Sequence, residues 1–134
     1  MKYMLDTNVC IHAIKKKSKA VIANILKHNP EDLCVSAITY AELMHGVEKS
    51  QEPKRNRVAL TLFLSSIDIL EFDNYAAEEY GRLRAELEKS GTPIGPMDTL
   101  IAAHARAEGL TLITNNTREF KRVEELDVVD WTIE

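Results

Sequence analysis

Three acidic residues, Asp6, Glu42 and Asp98, are the side chains of this sequence best suited to carry out chemistry together. Two carboxylates about 4 Å apart repel by about 4 kcal/mol at an effective dielectric constant near 20, so a cluster of them needs a divalent cation or a proton. Carboxylate oxygens are hard ligands that favour Mg²⁺ or Mn²⁺. Such a site activates water and stabilises charge on a phosphoryl group, so convergence of the three acids predicts metal-assisted hydrolysis of a phosphodiester.

Each of these acids also has an ordinary structural role that the sequence leaves open. Asp6 lies in an Asp-Thr-Asn segment that suits a helix cap equally well. Asp98 lies in the first turn of a predicted helix, where a carboxylate complements the helix dipole. Glu42 falls at the edge of an apolar helical stripe, a common place for an exposed glutamate. Asp98 shares its face with Ile101, which favours a buried carboxylate that needs a cation or a donor.

Short apolar runs alternate with helical patterns along the chain and predict the elements that must position these acids. Strands are predicted at 3–5, 33–36, 67–70, 110–114 and around 128–129. Helices are predicted at 9–15, from a cap at Ser18 towards Pro30, at 38–49, at 56–64 after a break at 51–53, from a cap at Asp73 to about Lys89, and at 97–108. The connections are too long for hairpins, which indicates a mostly parallel sheet covered by helices on both faces. The predicted fold class is therefore α/β, with ligands bound beyond the carboxyl ends of the strands.

Size and composition predict one domain over residues 1–134, of which 45% are hydrophobic. No stretch approaches the roughly 20 apolar residues that span a bilayer, and Asp6 interrupts any signal-peptide core, so we expect a cytoplasmic protein. Two cysteines without Cys-x-x-Cys spacing give no support to a disulfide framework or a thiolate metal site. The net charge of −4 argues against binding to polyanions through overall attraction, but the local arrangement of charge decides, so net charge alone settles nothing.

Four separated motifs together resemble one known family. They are MLDTN at 4–8, TYAEL at 39–43, PIGPMD at 93–98 and TNNTREF at 114–120. In this order and over nearly the whole chain, they resemble the VapC-type toxins of the PIN-domain ribonuclease family. Agreement of four motifs is far more specific than any one of them alone.

The resemblance implies a single PIN-like domain in which Asp6, Glu42 and Asp98 are the catalytic, metal-binding carboxylates, with Mg²⁺ or Mn²⁺ as cofactor. The fourth acidic position of the family falls at Asn116, where an amide replaces the usual aspartate. An amide offers a carbonyl oxygen but no negative charge, which predicts weaker metal binding than four acids would give. Whether Asn115 or Asn116 faces the site stays open at this point.

Four further residues are predicted on the substrate side of the site. The resemblance suggests Thr7 and Thr114 as hydrogen-bond partners of the carboxylates, although such residues are also common at strand ends for packing reasons. Arg82 and Arg118 are predicted to contact RNA phosphates.

The resemblance also implies a biological role. VapC-type toxins are similar to one another as endoribonucleases of type II toxin–antitoxin systems that a cognate VapB-type antitoxin neutralises, and a toxin homodimer is implied. The 93–96 and 115–120 segments are most similar to the enteric subgroup, whose members cut initiator tRNA in the anticodon stem-loop.

Two other functions stay open from the sequence. One is a metal-dependent nuclease that acts on DNA or on flap structures, and the other is a non-catalytic RNA-binding module in which Asn116 marks a degenerate centre. The four histidines lack the spacing of a zinc site, so zinc chemistry has no support.

Overall fold

A sheet of parallel strands forms the centre of the protein in a computed structural model that describes residues 2–133. Its strands, in chain order, are β1 (Tyr3–Leu5), β2 (Leu33–Ser36), β3 (Asp68–Leu70), β4 (Thr111–Ile113) and β5 (Val128–Val129). Their order across the sheet is β3-β2-β1-β4-β5, and every neighbouring pair is parallel. The α/β prediction is confirmed, and the sheet is wholly rather than mostly parallel.

Seven α-helices connect and cover the strands within the described residues. They are α1 (Thr7–Ile14), α2 (Lys19–Lys27), α3 (Ala37–Glu48), α4 (Pro53–Leu64), α5 (Asn74–Lys89), α6 (Pro96–Glu108) and α7 (Thr117–Phe120), and a 3-10 turn covers Pro30–Asp32. Both predicted helix caps are present, because the side chains of Ser18 and Asp73 accept backbone N–H groups of α2 and α5. Gly109 ends α6 in a left-handed conformation with φ +67°, which glycine adopts without strain.

The helices pack on both faces of the sheet, as predicted. One buried cluster joins β1 and β2 to α1, α3 and α4 and includes Val9, Val35, Leu43, Leu60 and Trp131. The other joins the sheet to α5 and α6 and includes Met4, Leu83, Leu112, Ile101 and Phe120. Burial of apolar surface on both faces fixes the sheet between two helical layers. None of the helices described in residues 2–133 is long and apolar enough to cross a membrane.

The strand order places a crevice between β1 and β4. From β1 the chain moves outward to β2 and β3, and it then returns to place β4 and β5 on the opposite side of β1. In open parallel sheets a ligand binds at such a reversal, beyond the carboxyl ends of the strands. Asp6 follows β1 and Thr114 follows β4, so both residues lie at this crevice.

Candidate active site

Asp6 is held rigidly at the crevice between β1 and β4. Its backbone N–H donates to the carbonyl of Ile113 on β4 at 2.8 Å. Its Oδ1 accepts the N–H of Thr7 at 2.8 Å, and its Oδ2 accepts the hydroxyl of Thr114 at 2.7 Å. Burial raises the pKa of Asp6, while the bonds from Thr114 and Thr7 oppose that shift and nearby Glu42 adds to it. Asp6 therefore caps α1, and its buried carboxylate also lies near other acids, while its role as a metal ligand stays a prediction.

Glu42 reaches the same place from α3 through a threonine. The hydroxyl of Thr7 donates to Glu42 Oε1 at 2.7 Å and lies 3.3 Å from the hydroxyl of buried Thr39, one turn earlier on α3. Glu42 is partly buried rather than exposed. Because the backbone N–H of Thr7 binds Asp6, one residue connects the two carboxylates.

Asp98 lies in the first turn of α6. Pro96 begins this helix, and the hydroxyl of buried Thr99 donates to the carbonyl of Gly95 at 2.8 Å, which fixes the turn. Burial raises the pKa of Asp98 to about 6, and the negative charges of Asp6, Glu119 and Glu42 contribute further to this rise. These couplings place Asp98 in the same acidic group as Asp6 and Glu42.

Glu119 on α7 is a fourth carboxylate of this group, and the sequence prediction missed it. Its Oε1 accepts the N–H of Gly95 at 2.9 Å, and its Oε2 accepts the side-chain amide of Asn116 at 2.7 Å. These two bonds lower the pKa of Glu119 and keep the carboxylate ionised. A Cβ atom added at Gly95 would lie 3.8 Å from Asp98 Oδ2 and 4.0 Å from Glu119 Oε1, so both acids flank the same backbone position.

Asn116 orients Glu119 in this structure. Its backbone N–H donates to the hydroxyl of Thr114 at 3.0 Å, and its side chain donates to Glu119. Asn116 is partly buried, whereas Asn115 is exposed. Glu119 stands three residues beyond Asn116, inside the TNNTREF motif at 114–120, and its place in that motif is the sequence signal that could have identified it. A direct catalytic role for Asn116 stays a prediction.

One hydrogen-bonded chain links the acidic group. It runs from Glu42 through Thr7 to Asp6, and from there through Thr114 and Asn116 to Glu119 and the backbone beside Asp98. These acids offer only oxygen atoms as ligands, and oxygen ligands suit a hard divalent cation. Within residues 2–133, however, no three His, Cys, Asp or Glu side chains already converge to hold a metal ion. The present bonds from Thr7, Thr114 and Asn116 orient the carboxylates individually.

The two predicted arginines lie on different helices. Arg82 is 62% exposed on α5, and its Nε lies 3.0 Å from Oε1 of Glu79. Arg118 is exposed on α7, next to Glu119 in the chain. Both stay predictions as substrate contacts. Thr7 and Thr114 lie within the acidic site, where each hydroxyl donates to a carboxylate.

Comparison with known proteins agrees with this fold and site. A sequence model described as the PIN domain matches residues 3–126. The tRNA(fMet)-specific endonuclease VapC of Shigella flexneri is 48% identical over 132 residues, which cover 98% of this chain and 99% of that protein. The protein of the same name from Salmonella typhimurium is 44% identical over 131 residues and 98% of each chain.

Solved structures give the same result. DNA-bound VapBC from Salmonella typhimurium superposes with a TM-score of 0.92 at 44% identity, over 98% of each chain. VapBC2 from Rickettsia felis, bound to a DNA fragment from its promoter, superposes with a TM-score of 0.90 at 43% identity, over 98% of this chain and 99% of that chain.

The chain belongs to the PIN-domain family. The predicted resemblance to VapC-type members, and to those of enteric bacteria, is confirmed by the relatives from Shigella and Salmonella.

Proposed function

We propose that this protein is the toxin of a type II toxin–antitoxin system and that it acts as an Mg²⁺-dependent endoribonuclease. The observation that carries the proposal is the linked acidic group. Hydrogen bonds through Thr7, Thr114 and Asn116 connect Glu42, Asp6 and Glu119, and Asp98 lies with Glu119 beside Gly95. Relatives that align over almost the whole chain carry the names endonuclease and ribonuclease VapC. These names support cleavage of RNA rather than binding alone.

The acidic group suits a divalent cation. PIN-domain nucleases generally use divalent metal ions, and Asp6, Glu42 and Asp98 would hold Mg²⁺, or Mn²⁺, with Glu119 beside them. When bound, the cation supplies Lewis-acid stabilisation of phosphoryl charge and lowers the pKa of a water molecule. The raised pKa of Asp98 supports this assignment, because a group of like charges with hard oxygen ligands is relieved by a cation.

The residues of this chain would then position the reacting groups. Thr7 and Thr114 hold the carboxylates of Glu42 and Asp6 by hydrogen bonds, which limits their rotation. Asn116 and the N–H of Gly95 hold Glu119 ionised next to Asp98. In the metal-free site, the pKa of about 6 lets Asp98 exchange a proton close to neutral pH, and a bound cation would favour its ionised form.

Initiator tRNA is the proposed substrate, cut in the anticodon stem-loop. Two relatives from enteric bacteria are named for tRNA(fMet), and they match this chain at 48% and 44% identity. The exposed side chains of Arg82 and Arg118 would contribute contacts to the phosphates.

A cognate VapB-type antitoxin is the proposed inhibitor, and a homodimer is the proposed assembly of the toxin. Similar chains occur in VapBC complexes, including complexes bound to DNA. An acidic site of this kind favours an inhibitor that inserts arginine or lysine and pairs with the carboxylates.

Purified protein and defined nucleic acids test the proposed function. With Mg²⁺, the wild type should cut a transcript of initiator tRNA once in its anticodon stem-loop, and it should leave a DNA oligonucleotide of that stem-loop intact. EDTA should stop cleavage, as should Asp98→Asn or Asp6→Asn. The control variant Asp68→Asn removes an exposed carboxylate on β3 and should stay fully active. RNA that remains intact with Mg²⁺ indicates a binding module, and equal cleavage of DNA indicates a general nuclease.

A further inference from the structure

A small groove opens next to the candidate active site, between the last turns of α5 and the segment 93–96. Its volume is about 200 Å³, and the groove is mostly apolar. The residues that matter for its chemistry are Tyr80, Arg84 and Glu88 on one side and Pro93, Ile94 and Pro96 on the other. The volume is below the roughly 300 Å³ at which sites for drug-sized ligands begin, so the groove suits a flat group the size of one nucleobase.

The wall made by the segment 93–96 is formed before any ligand binds. The carbonyl of Pro93 accepts a guanidinium N–H of Arg122 at 3.0 Å. The N–H of Gly95 donates to Glu119, and its carbonyl accepts the hydroxyl of Thr99. Two prolines further restrict the backbone of this segment. Hydrogen bonds fix this wall at three backbone atoms. Little conformational entropy is therefore lost when a ligand binds to it.

The opposite wall carries an oriented arginine. Arg84 Nη1 donates to the hydroxyl of Tyr80 at 2.9 Å, and Arg84 Nε lies 3.5 Å from Oε2 of Glu88. The Arg84 side chain is 59% exposed, so its planar group is held in position and still open to a ligand. Guanidinium planes and tyrosine rings both stack on unpaired bases, and the neighbouring donors and acceptors can meet a base edge.

The segment 93–96 borders both the groove and the candidate active site. Its residues Pro93, Ile94 and Pro96 line the groove. Gly95, next to Pro96, is the backbone position that Asp98 and Glu119 both approach. On the far side of the 93–96 segment, Arg122 provides a second positive charge. This arrangement would let an RNA strand that presents a phosphodiester to the acidic group place a neighbouring base at this segment.

We infer that the groove between α5 and the segment 93–96 holds one unpaired nucleobase of the RNA, adjacent to the phosphodiester that is cut, with Arg84 stacked on the base. This inference rests on the proposed endoribonuclease function and adds a base subsite to it. It explains why the 93–96 segment is fixed on both sides, by Arg122 and by Glu119. The expected ligand is a base in a loop, because a paired base is not free to enter a groove.

Abasic substitutions in the substrate test the subsite. The probe is a synthetic RNA hairpin of the initiator tRNA anticodon stem-loop, either intact or with one abasic nucleotide next to the cleaved bond. For the wild type, loss of the base on one side of that bond should lower kcat/KM about tenfold, as expected for one lost stacking contact. Arg84→Ala should lower kcat/KM by a similar factor on the intact hairpin. For this variant, removal of the base should cause no further loss of kcat/KM.

Two further variants sharpen the result. Arg84→Lys keeps the charge but loses the planar group, so it should behave like Arg84→Ala if the arginine stacks on a base. Arg55→Ala removes an exposed arginine on α4 that also pairs with a glutamate, Glu52, and it should keep the tenfold effect of the abasic site. All three variants should unfold at temperatures close to that of the wild type, because the hydrogen bond and ion pairs that they disturb are exposed.

The outcomes separate the two proposals. Independent losses from Arg84→Ala and from every abasic site, or full activity of Arg84→Lys, would show that Arg84 only attracts phosphates and would overturn the subsite. A wild-type protein that leaves the intact hairpin and initiator tRNA uncut with Mg²⁺ would overturn the proposed function instead, and the subsite would fall with it. Cleavage that depends on Asp98 but not on Arg84 would keep the function and reject the groove.

Discussion

The ring of His104 on α6 lies 2.8 Å from the hydroxyl of Ser36, the residue that caps α3, and both side chains are fully buried. Burial lowers the pKa of His104, so the ring is neutral at pH 7 and its Nδ1 can accept the Ser36 hydroxyl. Ser36 Oγ also accepts the N–H of Ile38 in the first turn of α3. This pair connects the helix that carries Asp98 to the helix that carries Glu42.

Ser36→Ala should therefore lower both stability and activity. It removes a helix cap and leaves a buried imidazole nitrogen without its partner, which together should lower the free energy of unfolding by about 1–3 kcal/mol. Ser18→Ala is the matched control, because Ser18 caps α2, a helix that carries none of the four acids. It should cost about 1 kcal/mol and leave RNA cleavage unchanged. Urea unfolding and cleavage rates test both variants. Equal activity of the two would contradict a role for the Ser36–His104 pair in positioning the acids.

Asp98 should make the metal-free protein less stable as pH rises. Its pKa in the folded protein is about 6, above the ordinary 3.8, so between these values the folded state keeps a proton that the unfolded state releases. The free energy of unfolding should fall as pH increases from about 4 to 6, and the loss should be complete above pH 6. Urea unfolding in EDTA should show a flatter profile for Asp98→Asn, which should be more stable than the wild type at pH 7.5.

Asp68→Asn serves as the control for this pH profile. Asp68 is exposed on β3, so its replacement should leave the profile parallel to that of the wild type. Mg²⁺ should stabilise the wild type at pH 7.5 more than it stabilises Asp98→Asn, because binding to the folded state alone shifts unfolding. A profile for Asp98→Asn that parallels the wild type would remove Asp98 from the coupled acidic group.

Asn116→Asp should lower the stability of the metal-free protein and raise its affinity for Mg²⁺. The amide of Asn116 donates to Glu119 Oε2 at 2.7 Å, and an aspartate would put a like charge there. In EDTA the variant should lose about 1 kcal/mol of stability, while its affinity for Mg²⁺ should rise on the order of tenfold through the added negative ligand. Asn115→Asp adds the same charge at an exposed neighbour and should change neither quantity. Calorimetric titration measures the affinity of each variant for Mg²⁺. Similar affinities of Asn116→Asp and Asn115→Asp would refute the prediction.

Thr114→Val should destabilise the site in a way that serine restores. The buried hydroxyl of Thr114 donates to Asp6 Oδ2 and accepts the N–H of Asn116, so valine leaves both partners unsatisfied at nearly the same volume. We expect a loss of about 1–3 kcal/mol in thermal unfolding and a slower cleavage rate. Thr114→Ser keeps the hydroxyl and should recover most of the rate, even though it loses a buried methyl group.

Much of the fold could be predicted because short-range signals agreed with the final packing. The apolar run at 3–5 matches β1, and the caps at Ser18 and Asp73 begin α2 and α5 as expected. Helix α4 begins at Pro53, three residues before the predicted start, because proline is favoured in the first turn of a helix and does not break it there. Helix α1 begins at Thr7 rather than at residue 9, because Asp6 itself is the cap.

The site was less predictable than the fold, because contacts between distant residues decide it. The hydrogen bond between Thr7 and Glu42 joins residues 35 positions apart, and no local pattern indicates it. Glu119 was missed for a related reason. The short helix α7 has a single turn, which gives no periodic signal, and the importance of Glu119 comes from its bond to Gly95, 24 positions earlier. The sequence motifs identified three of the acids, and the contacts in the folded structure identified the fourth, Glu119.

The pairing of β1 with β4 also has a consequence during protein synthesis. Asp6 meets its partner Thr114 only after a further 108 residues have been made, and Glu119 comes later still. A nascent chain on the ribosome therefore lacks the complete acidic group until the segment that carries Glu119 has been made.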